Sequence, residues 1–157
     1  MTSRTALSLI ALTVLAACSV NPVTGKNELM LVGEGTELQI GEKNFAPTRQ
    51  SEGGDQRLDP ALTTYVQGVG QRLAAVSDRK LPYEFMVLNN SIPNAWALPG
   101  GKIAVNRGLL TELKSESELA AVLGHEIVHA AARHSAQAMS RGMLIQGGLV
   151  VAQVAAH

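Results

Sequence analysis

The residues best suited to carry out chemistry are His125, Glu126 and His129, which form the pattern H-E-x-x-H. Two histidines four residues apart on a helix lie about one turn apart on the same face, so both imidazoles can bind one metal ion. The carboxylate of Glu126 lies at the flank of that face, where it can act as a general base towards water that the metal acidifies. The spacing therefore predicts two metal ligands and a base.

The sequence around this motif predicts the helix that such chemistry needs. Ser115 and Glu118 form a capping-box pattern, S-x-x-E, which is typical of a helix start. Apolar residues then recur at helical spacing and predict a helix with a buried face. These residues are Leu119, Val122, Leu123, Ile127 and Val128. The alternative interpretation is a structural helix whose two histidines are buried and hydrogen-bonded without a metal.

Upstream of the motif, the sequence predicts two helices, a strand and a hairpin. The helices are expected over residues 36–45 and about 60–76, the second starting at an Asp-Pro pair. Residues 83–88 read as a largely buried strand, and residues 95–98 and 103–105 as a hairpin around Pro-Gly-Gly-Lys. If one hairpin strand is a sheet edge, it can bind an extended peptide by strand addition. The alternative is a hairpin that only contributes to the core.

The composition favours a single small globular domain. The 157 residues carry a formal net charge of zero, and only 3% of them are aromatic. Binding to nucleic acid usually requires a basic surface, so this charge balance argues against a nucleic-acid partner.

The beginning of the chain predicts membrane attachment through a lipid. Arg4 precedes an apolar run over residues 6–17, which has the layout of a secretory signal and is too short to span a bilayer comfortably. The sequence Leu-Ala-Ala-Cys that ends at Cys18 resembles a bacterial lipobox. We therefore expect a signal peptide over residues 1–17, lipidation of Cys18 and a tether over residues 18–33. The alternative is an unmodified cysteine in an ordinary signal peptide.

The residue after Cys18 predicts which membrane holds the protein, and the end of the sequence predicts an incomplete segment. Ser19 after the lipobox favours, by resemblance to Gram-negative lipoproteins, an anchor in the outer membrane that faces the periplasm. Residues 143–157 are almost wholly apolar and stop without a polar tail, so we expect an incomplete, truncated C-terminal segment. It is shorter than a transmembrane helix and could equally be a buried helix, a membrane-touching hairpin or half of a larger element.

Several of these segments together resemble zinc metallopeptidase family forty-eight, the HtpX and CAAX-prenyl-protease type, and most closely its periplasmic lipoprotein members. The resemblance runs from about Asn21 to Gly142, and we place the peptidase domain at residues 34–142. It is carried by NAWALPGG at residues 94–101, by residues 103–108, by ELAAVLGHEIVH at residues 118–129, and by Arg133-His134.

The resemblance implies a zincin-like α+β domain that binds one Zn²⁺ ion. In it, His125 and His129 would be zinc ligands and Glu126 the general base. The family takes its third ligand from a glutamate in an E-x-x-x-D motif on a later helix, and this sequence contains no such motif after His129. His134 matches the family pattern, and we interpret it as structural or as a neighbour of a ligand, not as a ligand itself.

The resemblance also implies a substrate and an activity. Asn94, Ala95 and Trp96 would form the strand that binds the substrate, and the reaction would be hydrolysis of internal peptide bonds. The substrates would be misfolded or misassembled envelope proteins, as part of protein quality control. The alternative is a catalytically inactive lipoprotein, or a truncated fragment, that binds extended polypeptides without cleaving them.

Overall fold

The computed structural model describes the backbone of residues 18–155 and the side chains of residues 19–146. The predicted signal peptide and the side chain of Cys18 therefore lie outside the described residues. In chain order the elements are β1 (Cys18–Val20), β2 (Asn27–Leu29), α1 (Glu34–Ser51), α2 (Pro60–Ala74), β3 (Glu84–Leu88), β4 (Ala95–Leu98), β5 (Lys102–Asn106), α3 (Arg107–Leu110), α4 (Glu116–Ala131) and α5 (His134–Ala155). This mixture of helices and small sheets confirms the predicted α+β fold.

The larger sheet has three strands in the order β3-β5-β4. Strand β5 pairs in parallel with β3 and antiparallel with β4, with Ala95 opposite Val105. A short 3₁₀ turn over Pro99–Gly101 joins β4 to β5, and Gly100 and Gly101 there have φ angles of 77° and 84°. Only glycine adopts such angles without strain, which explains the Gly-Gly pair in the turn. The structure thus confirms the hairpin and places β4 at an edge of the sheet.

Each face of this sheet packs against helices. One face meets α2 and α4 in the main core, where Phe85, Ile103 and Leu123 are fully buried. The opposite face meets α1 through a smaller cluster that contains Phe45 and Trp96. The helix with the H-E-x-x-H motif is therefore fixed to the sheet by its apolar face, close to the edge strand β4.

Helix α1 is longer than the sequence predicted, and it supports the hairpin turn. It continues through Pro47 instead of ending near Phe45. At Gly41 the helix approaches the turn so closely that a Cβ atom would lie 1.8 Å from the carbonyl oxygen of Pro99. Since no real side chain tolerates that distance, glycine at this position is what lets α1 hold the turn.

Residues 18–33, interpreted from the sequence as a tether, include the two-stranded sheet β1–β2 and pack against the end of α4. The side chain of Asn21 is 1% exposed, and its Oδ1 atom accepts hydrogen bonds from the backbone of Val23 and Thr24. Its Nδ2 atom donates to the carbonyl oxygen of Ala132 at 3.1 Å. This segment therefore contributes to the packing of the domain.

Helix α5 contains most of the apolar segment that the sequence analysis set apart as residues 143–157. The side chains of Met143, Leu144 and Ile145 are at least half exposed. Among the described residues, no helix combines the length and apolarity needed to cross a membrane.

Candidate metal centre

The position of the motif on α4 follows from how this helix begins. Ser115 precedes the first helical residue, and its Oγ atom accepts a hydrogen bond from the backbone N–H of Glu118 at 3.2 Å. The carboxylate of Glu118 accepts from the N–H of Lys114 at 2.7 Å, one residue earlier than in an ideal capping box. The predicted cap is thus present, and it places the motif in the second half of α4.

The two histidines of the motif point at one location. The Nε2 atoms of His125 and His129 are 2.9 Å apart, and their rings are inclined by 72°. Two nitrogen ligands on a tetrahedral zinc ion are separated by about 3.3 Å, given Zn–N bonds of about 2.0–2.1 Å. A small rotation of either ring reaches that distance, so the pair fits two ligand positions of one zinc ion.

Glu126 lies between this pair and a groove at the edge of the sheet. Its side chain is 9% exposed and, together with His125, lines an open groove of about 480 Å³. The rest of the lining is mostly apolar and comes from β4 and α4 and the segments next to them, namely Asn94, Ala95, Leu109, Ala121 and Val122. The groove therefore brings the carboxylate of Glu126 and the imidazole of His125 to one surface beside β4.

The free edge of β4 borders the same groove. The backbone N–H of Asn106 donates to the carbonyl oxygen of Asn94 at 2.9 Å, so this opposed pair is a hydrogen-bonded one. Hydrogen-bonded and non-hydrogen-bonded pairs alternate along antiparallel strands. The backbone N–H and C=O groups of Ala95 and Ala97 therefore point away from β5, where an added strand could pair with them.

The three residues predicted to bind substrate thus have different surroundings. Asn94 and Ala95 line the groove beside Glu126. The side chain of Trp96 lies on the other face of the sheet, where its ring meets that of Phe45 edge-on at a centroid distance of 6.0 Å. Trp96 therefore packs the strand against α1, while its neighbours face the groove.

His134 contacts the second ring nitrogen of His129. The Nδ1 atoms of these two residues are 2.7 Å apart, and their rings are inclined by 79°. Because His129 turns its Nε2 atom towards His125, His134 lies on the opposite side of that ring from the point where the pair converges. Among the side chains of residues 19–146, no group of three or more His, Cys, Asp or Glu is arranged to hold a metal ion.

A buried ion-pair network supports the end of α4, and no pattern in the sequence predicts it. The side chain of Glu37, on α1, is 1% exposed. Its carboxylate accepts hydrogen bonds from two nitrogens of Arg79 at 2.9 and 3.0 Å and from Nε of Arg133 at 2.8 Å. Two cations hold this carboxylate in the interior.

Both arginines of this network also donate hydrogen bonds to backbone carbonyl oxygens, Arg79 to that of Ala130 and Arg133 to that of Val32. Arg133 has a φ angle of 60° and donates to the carbonyl oxygen of Val32 at 2.8 Å. Burial lowers the pKa of Arg79, but its hydrogen bonds to Glu37 and Glu34 raise that pKa above its ordinary value. The guanidinium of Arg79 therefore stays charged. No local sequence pattern predicts its partners.

Comparison with known proteins gives a consistent result. The sequence model of Peptidase family M48 matches residues 60–157. The beta-barrel assembly-enhancing protease of Escherichia coli is 37% identical over 107 residues, which are 67% of this chain and 21% of that protein. The mitochondrial metalloendopeptidase OMA1 of Schizosaccharomyces pombe is 47% identical over 90 residues, 55% of this chain and 27% of that protein. The chain thus spans about a quarter or less of the length of these relatives.

Proposed function

The chain belongs to peptidase family M48, and from that premise we propose that it provides the catalytic site of a zinc-dependent endopeptidase that cleaves extended polypeptides. One observation carries the proposal. The Nε2 atoms of His125 and His129 converge at 2.9 Å, and the buried carboxylate of Glu126 lies beside them at the groove. This is the donor set and the base that metal-assisted peptide hydrolysis requires.

The zinc ion, bound through the two Nε2 atoms and a further ligand, would supply a Lewis acid for the scissile carbonyl and for water. The protein's own groups do the rest. Glu126 accepts the proton of the attacking water and then passes it to the nitrogen of the leaving amine. The side chain of Glu126 is 9% exposed and lines the groove, so the proton acceptor lies at the surface that would meet the substrate.

Substrate binding in this proposal uses the backbone of β4. The outward-pointing N–H and C=O groups of Ala95 and Ala97 pair with the backbone of an extended chain, so this binding does not depend on the sequence of that chain. Trp96 contributes indirectly, because its packing against Phe45 fixes the strand. Such pairing favours unfolded or extended segments over folded domains, since folded domains have no free strand to add.

We propose misfolded or misassembled proteins of the bacterial envelope as the substrates. Two observations support this choice: one relative is named a beta-barrel assembly-enhancing protease, and the sequence at Cys18 has the form of a lipobox. In this proposal residues 1–17 are a signal peptide that is removed, and lipid on Cys18 holds residues 34–142 at the periplasmic face of the outer membrane.

Metal dependence tests the catalytic proposal. We expect the purified protein to cleave an unfolded polypeptide such as casein, to lose this activity when 1,10-phenanthroline removes the metal, and to regain it when Zn²⁺ is restored. Cleavage products are measured by gel electrophoresis and mass spectrometry. Cleavage that is unaffected by the chelator would contradict a zinc mechanism.

A second function is favoured by the number of ligands in the described residues. Only two imidazoles converge there, whereas strand addition at β4 needs no metal. The chain would then be a lipoprotein that binds extended polypeptides without cleaving them. In the same experiment, binding of casein that is independent of zinc and is never followed by cleavage would support this alternative.

Membrane attachment is tested at Cys18. We expect Cys18→Ser to abolish incorporation of labelled fatty acid and to move the protein from the membrane fraction to the soluble fraction, because lipid chains on this residue supply the attachment. Ser19→Ala, which leaves the cysteine in place, is the matched control. An unchanged membrane fraction in Cys18→Ser, without labelled lipid in the native protein, would contradict the anchor.

A further inference from the structure

We propose that His134 is a positioning residue for the candidate metal centre, because it holds His129 in the tautomer and ring orientation that metal binding requires. This inference rests on the proposed function, since it concerns the same site. His134 is not one of the two histidines whose Nε2 atoms converge.

The tautomer follows from the two contacts of His129. A neutral imidazole carries one proton, so the nitrogen that binds a metal must leave the proton on the other nitrogen. His129 turns Nε2 to the convergence point shared with His125, so binding of a metal there would require the proton on Nδ1. At 2.7 Å from that atom, the Nδ1 atom of His134 can only accept, because two protonated nitrogens would repel each other at this distance.

Contact between His129 and His134 requires the break between α4 and α5. Residues five apart on a continuous helix differ by about 140° in direction, so their side chains would not meet. Here α4 ends at Ala131 and α5 begins at His134, with Arg133 between them at a φ angle of 60°. This left-handed residue turns the chain so that His134 faces back towards His129.

The turn is held by contacts from distant parts of the chain. Arg133 binds Glu37 and the carbonyl oxygen of Val32, both of which lie about 100 residues earlier. The carbonyl oxygen of Ala132 accepts hydrogen bonds from the side chains of Asn21 and Gln137 at 3.1 and 2.8 Å. Left-handed backbone is unfavourable for arginine, and it persists because these buried contacts determine it. The network at the end of α4 thereby determines the position of His134.

The test compares His134→Ala with His134→Asn. Asparagine keeps an acceptor, Oδ1, at the position of the histidine Nδ1 atom, whereas alanine removes it. His134 is exposed, so neither change should affect folding, which circular dichroism checks. With Zn²⁺ as the probe, we expect His134→Ala to weaken binding about 10- to 100-fold, the usual loss for a partner of a ligand, and His134→Asn to restore most of it.

A second readout needs neither metal nor activity. In ¹⁵N spectra of the metal-free chain at about pH 8, His129 should carry its proton on Nδ1 in the native protein and in His134→Asn. In His134→Ala it should become a mixture of tautomers. Equal tautomer populations in all three proteins would overturn the inference, as would an unchanged zinc affinity in His134→Ala.

These outcomes separate the inference from the function on which it rests. If the native chain does not bind Zn²⁺, the proposed function fails at that step, and the metal-free spectra still decide whether His134 sets the tautomer. If zinc binds but Asn and Ala behave alike, the metal centre stands and the role of His134 as an acceptor is wrong.

Discussion

Replacing Glu126 with glutamine is expected to lower peptide hydrolysis by about 10²- to 10⁴-fold, the usual contribution of a positioned general base. Glutamine has nearly the same shape but cannot accept a proton from the attacking water. The imidazoles of His125 and His129 carry the proposed metal contacts, so zinc binding should persist. Rates of casein cleavage and the affinity for Zn²⁺, measured on the same preparation, separate the base from the metal site.

Glu112→Gln provides the matched control for this prediction. Glu112 is an exposed carboxylate just before α4, and it lies outside the groove. It should retain full activity, which shows that loss of one negative charge near α4 is not sufficient. Full activity in Glu126→Gln would rule out the assigned base. A loss of zinc together with activity would instead indicate that Glu126 holds the metal centre together.

The elements that carry the motif could be predicted because their signals are local. Ser115 caps α4 with its own side chain, and Leu119, Leu123 and Ile127 are buried in the main core as their helical spacing predicted. Val122 and Val128 were expected on the same buried face, but Val122 lines the groove and Val128 is 45% exposed. The hairpin was equally predictable, since the Gly-Gly pair at residues 100–101 supplies the backbone angles of its turn. These features depend on residues within a few positions of one another, so periodicity and turn chemistry suffice.

The surroundings of the motif could not be predicted in the same way. Glu37 binds a cation 42 residues later and another 96 residues later, and nothing in its own helix distinguishes it from an exposed glutamate. The hydrogen bond from Asn21 to the carbonyl oxygen of Ala132 likewise joins positions 111 residues apart, and no local pattern predicts it. Charge pairing across the chain is a tertiary property, and a single sequence does not encode it as a pattern.

Side chains from remote segments bind the end of α4, where the candidate metal centre lies. The carbonyl oxygen of Ala130 accepts from Arg79 at 3.4 Å, and that of Ala132 accepts from Asn21. The last turn of a helix leaves its carbonyl groups without partners, and here side chains from remote segments supply them. Because His129 lies in this last turn, disturbance of the network should affect both stability and the site.

Glu37→Gln is therefore expected to destabilise the protein by about 3–5 kcal/mol, the usual cost of removing one partner from a buried ion pair. Glutamine keeps the shape of the side chain but loses its charge, which leaves Arg133 as a buried cation without this counter-charge and Arg79 with Glu34 as its remaining carboxylate partner. Both arginines are less than a tenth exposed, so water cannot replace the carboxylate. The free energy of unfolding in urea, followed by circular dichroism, measures the loss, and the melting temperature should fall by roughly 6–20 °C.

The ion pair between Glu116 and Arg72 is the control that identifies burial as the cause. Its N–O distance of 2.7 Å is as short as those at Glu37, but both side chains are more than half exposed. Water screens such a pair and can solvate either partner alone, so Glu116→Gln should cost no more than about 1 kcal/mol. Equal effects of the two changes would show that the network around Glu37 does not hold α4. A large loss of stability confined to Glu37→Gln would show that α4, which bears the histidines, depends on the buried carboxylate of Glu37 on α1.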